Sequence, residues 1–118
     1  MKLVLPIVTV IVGAAIFAAC GEPSGGNTCA STAAPTVDAR NDSTFLPASL
    51  TITPGQRVCW QNLTSLTHTM TSDNVSIDSI DVTLPPNFTF TQGFGTVQDF
   101  SYRCRFHPGM VGLIQVRP

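Results

Sequence analysis

The chain has 118 residues, of which 43% are hydrophobic and 11% charged, and its formal net charge is −1. That length fits one small domain plus a leader, and the near-neutral balance excludes the basic surface that nucleic-acid binding requires. The scarcity of charge also excludes docking through a strong charged patch.

Residues 1–19 read as an export leader. Lys2 supplies the positive end, residues 3–17 form an apolar run broken by Pro6 and Gly13, and Ala18-Ala19 precede Cys20. The run is too short for a comfortable membrane span. Phe17-Ala18-Ala19-Cys20-Gly21 resembles a bacterial lipobox, with Phe17 where Leu is usual. The resemblance implies that Cys20 becomes the lipidated first residue of the mature protein. Ordinary cleavage without lipid is the alternative, and the bulk of Phe17 three residues before the cut argues against it. Removing residues 1–19 leaves 99, about the size of an immunoglobulin-like sandwich. Lys2 is the only lysine, so that remainder sets five Arg against seven acids. Residues 20–35 are rich in Gly, Ser, Thr, Ala and Pro without an apolar period, and read as a flexible tether. Residues 36–118 form the expected domain.

From Thr36 the pattern turns to short strands. Thr36 to Ala39 starts one, and Phe45-Leu46-Pro47 leads into another at 49–53. Pro54-Gly55 is a tight turn: proline presets the first central φ and glycine accepts a positive second one. Arg57 to Asn62 then places Val58 and Trp60 on one face and Cys59 on the other. His68 to Thr71 is a further strand. Val75 to Leu84 reads equally as strand, loop or one helical turn, and Pro85-Pro86 ends it. Phe88 and Phe90 alternate with Thr89 and Thr91 as a half-buried strand, and Gly93 and Gly95 make a turn. Phe100, Tyr102 and Cys104 share a face, as do Ile114 and Val116. Steady short strands with almost no helical period predict an all-β sandwich. Asn41, Asn62, Asn74 and Asn87 stand in glycosylation-type tripeptides, which a bacterial lipobox makes coincidental.

The chemistry concentrates between Tyr102 and Met110. Cys104, His107 and Met110 offer a thiolate, an imidazole and a thioether within seven residues. Such donors suit copper in both oxidation states, whereas a carboxylate-rich loop would suit harder ions. A trigonal His₂Cys set with a weak axial Met is an electron-transfer arrangement. The missing histidine can only be His68, the one other in the chain.

Cys104-x-x-His107-x-x-Met110 resembles the ligand loop of the cupredoxins, and its two-residue gap before Met110 is similar to amicyanin and pseudoazurin. Val58-Cys59-Trp60-Gln61-Asn62, followed by His68-Thr69, resembles the family's first-ligand segment. The resemblance spans roughly Phe45 to Val116 and implies a Greek-key β-sandwich holding one copper ion. It makes Cys104 the strong thiolate ligand, His68 and His107 the imidazole ligands, and Met110 the weak axial ligand that favours the reduced ion. It further implies that the Thr69 backbone N–H donates to the Cys104 sulfur. Phe106, which is not proline, is expected to donate a second such bond. Asn62 is expected to hold the loop before His68. Electrons would pass through the exposed edge of His107, inside an apolar rim of Pro108, Phe106, Leu66, Pro85 and Pro86. Arg105 is a weaker candidate for a charge contact beside it.

With Cys20 given to lipid and Cys104 to metal, Cys29 and Cys59 remain, in a chain exported to an oxidising compartment. A Cys29–Cys59 disulfide is the economical reading. The expectation for the whole is a monomeric, lipid-anchored, periplasmic or extracytoplasmic single-electron carrier. Its redox partners would be a cytochrome, an oxidase or a copper enzyme. An enzyme is not expected, because both histidines are committed. Copper carriage or delivery by the same ligands is the alternative, and a structural zinc site from Cys59, His68, Cys104 and His107 is a third reading.

Overall fold

A computed structural model describes residues 28–74 and 79–118. The expected export leader, the expected lipidation site Cys20 and the head of the expected tether lie outside the described residues, as do residues 75–78 of the ambiguous segment.

Among the described residues, nine strands follow one another: β1 (Thr36–Ala39), β2 (Phe45–Leu46), β3 (Ser49–Ile52), β4 (Arg57–Asn62), β5 (His68–Ser72), β6 (Asp81–Leu84), β7 (Phe88–Gly93), β8 (Gln98–Arg103) and β9 (Val111–Val116). They form a four-stranded sheet ordered β2-β1-β4-β7 and a five-stranded sheet ordered β3-β9-β8-β5-β6. Both sheets are mixed, since β1 runs parallel to β4 and β3 parallel to β9. The expected all-β sandwich is the observed one, with one short 3₁₀ turn at Cys29–Ser31.

Alternation decides which faces meet. In β8, Phe100 and Tyr102 are buried while Asp99, Ser101 and Arg103 are exposed, and Cys104 continues the buried face. In β9, Gly112, Ile114 and Val116 turn inward. Val58 and Trp60 of β4 join the core, and Cys59 points to the other side. The rings interlock edge to face: Trp60 and Tyr102 are perpendicular at 5.5 Å, and Phe45 meets Tyr102 at 4.8 Å. Each large side chain so buried contributes about 1.5–3 kcal/mol. Gly112 faces Tyr102 across the β8–β9 ladder. A Cβ there would lie 2.1 Å from Tyr102 Cζ, so only glycine lets the ring lie flat on the strand.

The turn at Pro54-Gly55 forms as expected, with Gly55 at φ +93° and Gln56 N–H bonded to Thr53 O. Two aromatic placements differ from expectation. Phe94, read as part of a glycine turn, is buried, because its N–H donates to Gln56 O and its carbonyl accepts from Gly55 N–H. Those two bonds draw its ring against Trp60 and Phe100. Phe88 is 39% exposed because it pairs with Asn62 at the end of β4, beyond the core that Phe90 reaches.

Cys29 and Cys59 form a disulfide with Cα atoms 5.8 Å apart. Cys29 N–H donates to Gln61 Oε1, and Gln61 Nε2 donates to Asp38. The 3₁₀ turn is thereby fastened to β4, so the stretch from Cys29 onward is tied to the sheet. Cys59 is also removed from any metal set, which excludes the zinc reading: a disulfide sulfur carries no thiolate lone pair to give.

Candidate metal centre

His68 opens β5 and Cys104 follows β8 directly. The two strands are antiparallel, with Thr71 opposite Arg103. Continuing that register brings Thr69 beside Arg105, and so His68 beside the loop that leaves Cys104. The loop closes on itself. Cys104 N–H donates to Met110 O at 2.9 Å, and Met110 N–H donates to His107 O at 3.0 Å. Gly109 sits at φ +87°, which a Cβ would oppose. Met110 is buried in the core cluster, and His107 is half-buried at the surface.

Three donor atoms converge. Cys104 Sγ lies 3.4 Å from His107 Nδ1 and 4.0 Å from His68 Nδ1, and the two Nδ1 atoms are 3.2 Å apart. Donors about 2.0–2.3 Å from a common ion in a trigonal plane stand about 3.5–3.7 Å from one another. The observed triangle fits one small ion. The donor types fit copper, and Met110, buried where the same loop closes, carries the thioether that a type 1 set uses.

Two of the ligands have a hydrogen-bond partner outside the triangle. Thr64 Oγ1 lies 3.4 Å from His68 Nε2. Thr64 gives its own proton to Asn62 Oδ1 at 2.6 Å. His68 Nε2 therefore donates, which leaves Nδ1 a free lone pair aimed at the site. Burial, and then the neighbouring His107, hold His68 below the ordinary imidazole range. Asn62 Nδ2 donates to Leu66 O and to Leu84 O, each at 2.7 Å, and its Oδ1 accepts the Thr64 N–H. It thus holds the loop from 63 to 67 without touching the donor triangle.

Thr69 N–H donates to Cys104 Sγ at 3.3 Å. The second expected bond is a correction: among the described residues, no hydrogen bond runs from Phe106 N–H to the sulfur. The Arg105 amide instead turns to Thr69 Oγ1 at 2.8 Å, and that bond sets the peptide that follows. Arg105 Nε pairs with Asp81 Oδ1 at 3.1 Å. The residues expected to form the apolar rim are all at the surface: Phe106 is 52% and Leu66 39% exposed, and Pro85, Pro86 and Pro108 are exposed.

Sequence reasoning missed Thr64, Thr71 and Asp81. A signal existed for Thr64: Asn62-Leu63-Thr64 is an Asx-turn pattern four residues before His68, and it was set aside as a glycosylation tripeptide. Thr71 and Asp81 lie in or beside segments whose pairing the sequence did not reveal.

No protein-family model matches the sequence, and no curated protein is significantly similar to it. Solved structures do match. A purple cupredoxin from Nitrosopumilus maritimus is 26% identical, superposes with a TM-score of 0.62, and is covered over 99% of its length by 70% of this chain. The chain has the cupredoxin fold. An oxidised amicyanin variant, 19% identical, gives a TM-score of 0.66 with 76% of this chain covering 90% of that one. A copper-containing nitrite reductase from Thermus scotoductus is 22% identical with a TM-score of 0.65. There, 72% of this chain covers only 22% of the larger one. His68, Cys104, His107 and Met110 fit one copper ion in this frame.

Proposed function

We propose that this cupredoxin is a type 1 copper protein that carries single electrons and is not itself an enzyme. The observation that carries this reading is the donor triangle of His68, Cys104 and His107, its sulfur hydrogen-bonded by Thr69 N–H. The donors arise from two paired strands and one self-closed loop, so either oxidation state meets nearly the same cage. Little reorganisation then opposes transfer. The copper, when bound, supplies the one-electron couple. The chain's residues hold its geometry, and the Thr69 bond draws charge from the sulfur and so raises the potential.

Exchange takes place at the His107 edge. His107 is half-buried and its chain neighbours Phe106 and Pro108 are exposed, an apolar surface suited to brief contact with a redox protein. A cytochrome, an oxidase or a copper enzyme is the class of partner. The carrier is exported and held at the outer face of a bacterial membrane through lipidated Cys20. What supports this is the leader-like run at 3–17, the Ala-Ala-Cys-Gly cut and the disulfide that begins the folded part.

Adding copper(II) to the purified apo-protein tests the core of the reading. An intense visible band from thiolate charge transfer, bleached by ascorbate and restored by oxidant, is the expected result. A colourless complex, or a band that survives Cys104→Ala, would sink it. Ready loss of copper to a weak chelator would favour carriage of the ion over electron transfer.

A further inference from the structure

The residue after Cys104 is fastened by a closed ring of hydrogen bonds that passes through a strand bearing no ligand. Arg105 N–H donates to Thr69 Oγ1 at 2.8 Å. Thr69 Oγ1 lies 3.0 Å from Thr71 Oγ1, which lies 2.9 Å from Asp81 Oδ1. The donor inventory fixes the protons. An ionised carboxylate only accepts, so the Thr71 hydroxyl gives its single proton to Asp81. The Thr69 hydroxyl then donates to Thr71 while accepting from the Arg105 amide. Asp81 Oδ1 also accepts from Arg105 Nε at 3.1 Å, and the ring closes where it began. The β5–β6 register makes Thr71 and Asp81 direct partners, and alternation puts Thr69 and Thr71 on one face.

An exposed Arg–Asp pair alone contributes little and is screened by salt. Asp81 differs because the same carboxylate oxygen terminates two buried hydroxyls that end on the Cys104–Arg105 peptide. Asp99 makes the ordinary version of the pair with Arg117, at the other end of β8, and bonds no buried hydroxyl. Thr69 meanwhile grips Cys104 twice, with its N–H on the sulfur and its Oγ1 on the next amide.

We propose that Asp81 is a positioning residue for the copper centre. Through Thr71 and Thr69 it holds the Cys104–Arg105 peptide, and so sets how the thiolate meets the metal and the Thr69 N–H. This rests on the copper reading above.

The test compares copper-loaded wild type with Thr71→Val, Asp81→Ala, their double variant and Asp99→Ala. The readouts are the visible spectrum, the reduction potential and copper affinity against a competing chelator. Thr71→Val changes no charge and nearly keeps the side-chain shape, so it carries the test even if Asp81→Ala folds poorly. It is expected to weaken copper binding about tenfold, as loss of a ligand's outer partner does, to alter the intensity ratio of the thiolate bands, and to lower the potential. Asp81→Ala alters the bands in the same sense, and the double variant moves them no further than the larger single change. Asp99→Ala matches wild type. A coloured wild type beside unchanged Thr71→Val and Asp81→Ala proteins overturns this proposal alone, as does a double variant whose band shift equals the sum of the singles. A wild type without a thiolate band overturns the copper reading and this proposal with it.

Discussion

Two neighbouring stretches at one end of β8 follow opposite rules. At the Cys104 end of β8 the buried polar groups around the site are partnered: Asn62, Thr64, Thr69, Thr71 and the sulfur itself all have hydrogen bonds. Two residues earlier, Tyr102 lies in the middle of the core with its hydroxyl unpartnered, facing a Trp60 indole N–H that is equally unpartnered. The metal end is specified by hydrogen bonds, each of which fixes a direction. The centre is specified by shape, with rings locked edge to face and a glycine kept bare beneath one of them. A metal cage needs directions. A core needs only filled volume, and it tolerates an orphan hydroxyl where the surrounding packing outweighs the cost.

The sharpest way to break this contrast is to attack shape. Gly112→Ala would put a Cβ inside the Tyr102 ring, and neither the ring nor the ladder can yield without disturbing Trp60 and Phe45. A loss of about 3 kcal/mol is expected, at the upper end of overpacking costs, or failure to fold. Urea denaturation of the apo-protein measures it. A loss under about 1 kcal/mol would mean that the core centre is softer than its geometry implies.

The metal end is attacked by removing a direction. Asn62→Ala strands Leu66 O, Leu84 O and the Thr64 N–H together, at a cost of about 2 kcal/mol. It also frees Thr64, the partner of His68 Nε2. The copper(II) spectrum of Asn62→Ala should therefore change, whereas a partly filled core position would leave the colour intact. An unaltered spectrum would show that the 63–67 loop does not govern the His68 ring.

How much of this was legible in the sequence follows the same division. Side-chain type and spacing carried the ligand loop, because Cys104, His107 and Met110 fall within one turn of chain and His68 is the only other histidine. Alternation carried Phe100, Tyr102, Ile114 and Val116 to the inside. The Cys29–Cys59 pair followed once the other two cysteines had uses. What escaped were partners set by register between strands distant in sequence. Asp81 reaches Arg105 only because β6 pairs with β5 and β5 with β8, and no local pattern announces that. The missing Phe106 bond has the same origin. Spacing made its N–H available, and a hydroxyl on a neighbouring strand turned the preceding peptide elsewhere.

The smallest effect is the most telling about the core. Tyr102 is the only tyrosine, and burial, outweighing a weaker opposite pull from the Trp60 indole, pushes its phenol from 10.0 up to about 12. Below pH 10 the phenol is neutral in both folded and unfolded chains, and its contribution to stability is fully present. Between pH 10 and about 12 the unfolded chain releases the proton and the folded one does not, so stability falls as pH rises through that window. Tyr102→Phe removes this slope. Because the hydroxyl has no partner to lose, the substitution should alter stability at neutral pH by no more than about 0.5 kcal/mol. The urea midpoints of the two proteins should then coincide near pH 7 and separate above pH 10, with Tyr102→Phe the more stable. A loss of about 1.5 kcal/mol at pH 7 would mean instead that the hydroxyl is bonded in solution. Trp60 Nε1 is the donor placed to do it, and the core would then obey the rule of the copper end after all.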